Sequence, residues 1–265
     1  PSSLGVTPGV AEDTLVADYN HIEQVEALFL AHPTEIAAVI VEPVAGNMGC
    51  VPPREGFLSG LRTLCDRFGS VLILDEVMTG FRVSDGGAAK RFGIVPDMIT
   101  LGKIVGGGMP LAAYCGKDTL MRNVSPDGKV YQAGTLSGNP MAVTAGLAQL
   151  RLLYKLNPWD ALERKGEFLA EEIRKAAKDA GVSVQVNRVA SMFTVFFSGK
   201  PVVDTETALA ADTKRFATFF HAMLEQGIFF PPSQFETTFI GNSHTDEILE
   251  RTVAATKIAF EKVRT

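Results

Sequence analysis

Cysteine is scarce in this chain: Cys50, Cys65 and Cys115 are the three among 265 residues. They stand too far apart for a CxxC pair, so a reducing compartment is expected rather than a disulfide framework. The expected location is the cytoplasm, with a plastid open if the source is a plant or alga. Positive charge is short as well. The 25 Lys and Arg are outnumbered by 30 Asp and Glu, a net charge of -5, and no basic stretch interleaves with aromatics, so no nucleic-acid partner is expected. No apolar run reaches membrane-spanning length, so no membrane partner is expected either. The histidines His21, His32, His221 and His244 lack ligand spacing, and no metal site is expected. Repeats and low-complexity tracts are absent. The opening Pro1-Ser2-Ser3-Leu4-Gly5-Val6-Thr7-Pro8-Gly9 has neither a methionine nor a signal pattern. It reads as loop and suggests a processed or truncated chain.

What is present alternates in the α/β manner. At 46% hydrophobic and 21% charged, the chain can bury a large core and hold a large domain with a smaller one. Asn20 with Glu23 makes a capping box, opening a helix whose Ile22, Val25, Leu28 and Phe29 recur at helical spacing. A strand from Ile36 to Val41 stops at Glu42-Pro43. Phe57, Leu61, Leu64, Cys65 and Phe68 mark one face of a helix that Gly69 ends, and a strand runs to Asp75. Strand, helix and strand form the βαβ unit of a parallel sheet. Short apolar runs follow at Met98 to Leu101 and Leu111 to Cys115, and Asn139-Pro140 places an N-cap before a proline at the first helical position. Residues 1–155 therefore read as a sheet-centred α/β domain. Past Leu156-Asn157-Pro158 the pattern predicts a charged helix from Asp160 to Ala180 and antiparallel strands between Val182 and Phe197. A helix from Asp212 to Gln226, a strand-like Gly227 to Phe230 and a last helix from Thr245 complete a smaller α+β domain over 156–265.

The chemistry concentrates in two runs, Ser70-Val71-Leu72-Ile73-Leu74-Asp75-Glu76-Val77 and Thr100-Leu101-Gly102-Lys103-Ile104-Val105-Gly106-Gly107-Gly108. The first reads as a buried parallel strand whose carboxyl end delivers a carboxylate to where open α/β sheets bind ligands. The second ends with a lysine entering a glycine turn. A carboxylate and a lysine held this way match what pyridoxal phosphate needs: an anion to keep the pyridine nitrogen protonated and an amine to condense with the aldehyde. Taken singly, Asp75 could cap a neighbouring helix, Lys103 could be a solvated lysine, and Gly106 to Gly108 could serve only as a turn.

These residues resemble the class III aminotransferases of pyridoxal-phosphate fold type I. The matching motifs are Leu74-Asp75-Glu76-Val77 with Thr79-Gly80-Phe81-Arg82, then Gly93-Ile94-Val95-Pro96-Asp97, then Gly102-Lys103 and the glycines. The resemblance implies a mostly parallel central sheet flanked by helices, with a smaller C-terminal domain. Asp75-Glu76-Val77-Met78-Thr79-Gly80-Phe81-Arg82, Tyr131 to Pro140 and Pro232-Ser233-Gln234-Phe235-Glu236 are similar to the aminomutase branch of that family, almost residue for residue.

By that resemblance Lys103 and Asp75 are catalytic and bind the cofactor, pyridoxal 5′-phosphate with a pyridoxamine 5′-phosphate form in the cycle. Val77 packs on a ring face, and Asn47 lies at the cofactor. Gly134 and Thr135 hold the phosphate of the neighbouring subunit, which implies a homodimer with shared sites. Glu236 faces substrate amines. Class III transaminases commonly carry glutamate in place of Asn47 and glutamine in place of Met78, so an uncharged Asn47 argues for another way of reading substrate. The activity implied is isomerisation of glutamate 1-semialdehyde to 5-aminolevulinate, a tetrapyrrole precursor. A transaminase for an ω-amine or amino acid, and a non-catalytic remnant of the fold, are the alternatives. The family's N-terminal part, with its Ser-Gly-Thr phosphate loop, an aromatic for the cofactor and a carboxylate-binding arginine, has no match here. A separate N-terminal segment is therefore an expected partner, and residues 1–13 resemble the end of the family's gating loop.

Overall fold

A computed structural model describes residues 3–264, so the first two residues of the expected gating-loop segment lie outside the described residues. Its elements run α1 (Pro8–Glu12), α2 (Ile22–Ala31), β1 (Ala38–Val41), α3 (Phe57–Phe68), β2 (Val71–Asp75), α4 (Gly87–Phe92), β3 (Met98–Leu101) and β4 (Ala113–Gly116). They continue through α5 (Asp118–Met121), α6 (Pro140–Leu156), α7 (Trp159–Asp179), β5 (Gln185–Val189), β6 (Met192–Phe196), α8 (Thr205–Leu209), α9 (Thr213–Glu225), β7 (Thr238–Phe239) and α10 (Asp246–Arg264). A single 3-10 turn, Lys103–Gly106, follows β3.

Strands β1, β2 and β3 pair in parallel, and β4 closes the sheet as an antiparallel edge. The β1-α3-β2 crossover is the expected βαβ unit. The apolar face of α3 (Phe57, Leu58, Leu61, Leu64, Cys65) packs with Val25 and Phe29 of α2 and with Leu72 of β2. Gly69, at φ 73°, closes α3 in the left-handed region by sending its N–H to Cys65 O. Because the three strands are parallel and in register, with Val41 beside Leu74 and Asp75 beside Thr100, the residues that follow them emerge along one edge.

The second sheet, β5-β6-β7, is antiparallel and is covered by α7, α9 and α10. Its core contains Ile173, Phe193, Phe197, Phe219 and Phe260, with the Phe219 and Phe260 rings 5.0 Å apart. The segment after β1 wedges between the two sheets: Val44 and Cys50 pack with Val189 and Met192, and Ala45 and Val51 with Phe196 and Val202.

Several expectations are corrected. Asn20 and Glu23 form no capping box; the N-cap of α2 is His21, without a side-chain cap. Asn20, at φ 71°, instead ties distant chain together, its amide nitrogen donating to Pro52 O (3.0 Å) and Val203 O (2.7 Å) and its oxygen accepting from Arg54 N (2.7 Å). The stretch 227–230 is not a strand. Gly227, at φ 74°, ends α9 in the left-handed region, Ile228 N–H bonds back to Met223 O, and Pro231-Pro232 supply no ladder donors. The third strand is Thr238–Phe239. The opening residues are not all loop, because Pro8 at N1 starts α1. Two strands shift slightly, to Ala38–Val41 and Ala113–Gly116.

Candidate active site

The carboxyl ends of the three parallel strands place Glu42, Asp75 and Lys103 on the same edge of the sheet. The two acids that close β2 have different work. Glu76 is buried. Its Oε2 accepts from Thr79 Oγ1 (2.9 Å) and Ala88 N–H (2.7 Å), and its Oε1 from Ala89 N–H (2.7 Å), so the carboxylate caps the first turn of α4. Gly87 allows that approach, since a Cβ there would stand 2.3 Å from Glu76 Oε2. Asp75 is only half-buried. Its Oδ1 accepts from Val77 N–H (3.0 Å) and Thr100 Oγ1 (3.2 Å), while Oδ2 takes no hydrogen bond from a described residue. One oxygen fixes the carboxylate, and the other has no partner among the described residues.

Lys103 opens the 3-10 turn at φ 49°, a left-handed conformation costing about 1 kcal/mol or more for a side-chain-bearing residue and found most often at functional positions. The turn is clamped on α6: a Cβ at Gly146 would meet Val105 O at 2.2 Å, and one at Gly107 would meet Ala145 O at 2.5 Å. These glycines are structural. Gly102 lets β3 pass under Val77, whose Cγ1 would lie 3.2 Å from a Cβ there. The Lys103 amine is held below its usual pKa, first by partial desolvation and then by the Arg82 guanidinium, with Glu42 and Asp75 acting the other way.

Glu42 is pushed up, first by burial, and the Asp75 charge adds to this. The Gly46 N–H (3.1 Å to Oε2), the Lys103 charge and the Asn47 side chain counteract it. The 42–47 turn carries Asn47, itself exposed, with its side chain toward the Glu42 carboxylate. Met78 covers the turn, because a Cβ on Gly46 would stand 2.2 Å from its Sδ. From the second sheet, Thr237 Oγ1 donates to Gly46 O (3.0 Å) and Gly49 N–H to Phe235 O (2.6 Å). Those bonds set the loop carrying exposed Glu236 against the turn. Gly134 and Thr135 lie apart, on an exposed loop with no hydrogen bond to Asp75, Asn47 or Lys103. Among the described residues no cluster of three or more His, Cys, Asp or Glu could hold a metal ion, and no helix is long and apolar enough to cross a membrane.

Glu42, Thr100, Arg82 and Phe239 carry no role expected from the sequence. Glu42 had a signal, since it ends β1 as the acids end β2. Arg82 Nε donates to Met78 O (2.7 Å) and its Cζ lies 4.1 Å over the Phe239 ring, a contact with a residue far along the chain that spacing alone does not reveal.

The donor set fits a pyridoxal-type cofactor: a carboxylate with one oxygen lacking a described partner, an amine of lowered basicity and a branched side chain, Val77, against Gly102. The profile described as Aminotransferase class-III matches residues 7–255. The chain belongs to the class III aminotransferases. It is 55% identical over 98% of its length to a glutamate-1-semialdehyde 2,1-aminomutase of Citrifermentans bemidjiense, of which it covers 61%. Among solved structures it superposes on an omega-transaminase from Sphaerobacter thermophilus with a TM-score of 0.92 at 29% identity, covering 100% of this chain and 61% of that one. A glutamate-1-semialdehyde-aminomutase from Pseudomonas aeruginosa in complex with PMP gives a TM-score of 0.85 at 25% identity, over 98% of this chain and 60% of that one. The chain thus spans about 61% of the length of the curated relatives it matches.

Proposed function

We propose that this chain carries the reacting lysine and the ring-facing acid of a pyridoxal-phosphate-dependent aminomutase that converts glutamate 1-semialdehyde to 5-aminolevulinate. The observation that carries the reading is the placement of Asp75 and Lys103 at the carboxyl ends of neighbouring parallel strands, in a chain 55% identical to a protein named for that reaction. When bound, the cofactor supplies a reactive aldehyde or amine and a ring that withdraws electrons once its nitrogen is protonated.

The chain's own groups do the rest. Asp75, steadied by Val77 N–H and Thr100 Oγ1, would hold the ring nitrogen through Oδ2 and favour its protonated form. Val77 supports a ring face. The Lys103 amine, its basicity lowered, would accept a proton from a substrate carbon and give it back on the far side of the amine nitrogen, a role typically worth about 10²–10⁴-fold. Asn47 contributes a neutral amide, so no charge there demands an arginine partner. Glu236 attracts the substrate's amino groups. Gly134 and Thr135 reach the phosphate in a second copy of the chain, through a hydroxyl and a backbone N–H. Exposed Tyr131, Leu136, Met141, Leu147 and Leu152 on that loop and on α6 support a partner copy there.

The test is to incubate the protein with cofactor and glutamate 1-semialdehyde but no amino acceptor. Formation of 5-aminolevulinate over many turnovers supports the reading. A strict need for an added acceptor makes the protein a transaminase instead.

A further inference from the structure

We propose that Thr194 is a positioning residue whose buried hydroxyl fixes Glu236 against the 46–50 turn, so that the reading of substrate by that carboxylate depends on it. The inference rests on the assignment of Glu236 to the substrate's amino groups. Glu236 is exposed, yet the backbone beneath it is held at successive residues. Its C=O accepts from Thr194 Oγ1 (3.2 Å), and its N–H donates to Ser233 O (3.1 Å). On one flank Phe235 O accepts from Gly49 N–H (2.6 Å), and on the other Thr237 Oγ1 donates to Gly46 O (3.0 Å). Buried Gln234 anchors the same loop to the second sheet, its Oε1 accepting from Phe197 N–H at 2.9 Å. A charge carried on a fixed backbone suits a binding group.

Thr194 joins loop and turn through a single oxygen. While its hydroxyl donates to Glu236 O, the same oxygen accepts from Cys50 N–H at 2.9 Å. Along β6, Met192 packs with Val44 and Cys50, and Phe196 packs with Ala45 and Val51. Alternation places Thr194 between them on the same face. The side chain is 2% exposed between apolar neighbours, a setting that valine fills with the same shape and no hydroxyl to satisfy. Packing alone therefore gives no reason for threonine. The reason is the pair of backbone groups it bridges, both of which would lose this partner in a valine variant.

Contacts carry this position back to the first sheet. Glu42 follows β1 at the edge that also bears Asp75 and Lys103, and its Oε2 accepts from Gly46 N–H at 3.1 Å. Gly49, at φ 83°, lets β6 close on the turn, since a Cβ there would stand 2.3 Å from Phe196 Cζ and 3.1 Å from Thr194 Cγ2. From Glu42 to Glu236 each step is a hydrogen bond or a close packing contact. A strand of the second sheet thereby sets where a carboxylate stands relative to the edge of the first.

The experiment measures kcat/KM for glutamate 1-semialdehyde with cofactor-loaded protein, at a temperature where every variant is folded. Thr194→Val removes the hydroxyl at nearly constant shape, and a fall of about tenfold is expected, inside the roughly 10²-fold that a misplaced group can cost. Thr194→Ser keeps the hydroxyl and should stay within about twofold of the parent. The deciding comparison is made with Glu236→Gln. Once that charge is gone, adding Thr194→Val should cost less than about twofold more, because both changes act on one interaction. A merely structural threonine would lower melting and carry its full loss into the Glu236→Gln background. Thr194→Ala replaces Thr194→Val throughout if the valine variant does not fold. An unchanged kcat/KM in Thr194→Val, a Thr194→Ser as impaired as Thr194→Val, or a full further loss in the double variant removes the role of Thr194 alone. A parent without turnover, or Glu236→Gln at the parent value, removes the reading of the site and the proposal with it.

Discussion

Adjacent acids with opposite duties give a sharp test. Glu76→Gln keeps the shape of the side chain but turns one oxygen into an N–H group. Its two oxygens receive three donors, from Thr79, Ala88 and Ala89. Whichever way the amide is placed, its nitrogen faces a buried backbone N–H. An unpaired buried donor costs about 1–3 kcal/mol, and losing the charge from the remaining bonds about 1 more. The sum, roughly 2–4 kcal/mol, lowers the melting temperature by about 5–15 °C for a chain of this size. Asp75→Asn differs. The amide oxygen still accepts from Val77 N–H and Thr100 Oγ1, and its nitrogen falls where Oδ2 had no protein partner, so stability should change by no more than about 0.5 kcal/mol. Activity should fall by about 10²-fold or more, because the fixed anion opposite the ring nitrogen is gone. Thermal unfolding and steady-state rates of both variants decide the matter. Equal destabilisation by the two, or a melting point unmoved in Glu76→Gln, refutes the division of labour.

Two further outcomes follow from titrating groups. His21 is raised above its ordinary 6.5, first by Asp204 and then by Glu23, so its contribution is complete below that pH and fades as pH climbs through the higher folded value. Denaturant unfolding should therefore show His21→Ala flattening the loss of stability above about pH 6.5. Among the thiols, burial pushes Cys50 up to about 12 and Cys65 up to about 11, whereas Cys115 on β4 is exposed. In native protein a thiol reagent should mark Cys115 and spare the other two until unfolding.

The parts that could be read from sequence are those set by short-range pattern. The βαβ unit, the Gly69 stop, the Asn139-Pro140 start of α6 and the length of α7 depend on residues a few positions apart. So do Asp75 and Lys103 at their strand ends. The misread parts depend on distant chain. Asn20 looks like a cap until Pro52 and Val203 claim its side chain, and 227–230 looks like a strand until the close of α9 and a proline pair take its ladder away. Glu42 gained its place only once β1 and β2 were in parallel register. Arg82 was visible as a motif residue, but its clamp is Phe239 in the other sheet. The role of Gly134 and Thr135 follows from family resemblance, and no hydrogen bond among the described residues joins them to the lysine.

The central claim is that Lys103 is the amine that meets the cofactor. Its most direct test is borohydride reduction of the protein loaded with pyridoxal phosphate, followed by peptide mapping of the modified lysine. The label is expected on Lys103, with none elsewhere and none after Lys103→Ala. A label on another lysine, or full incorporation into Lys103→Ala, contradicts it.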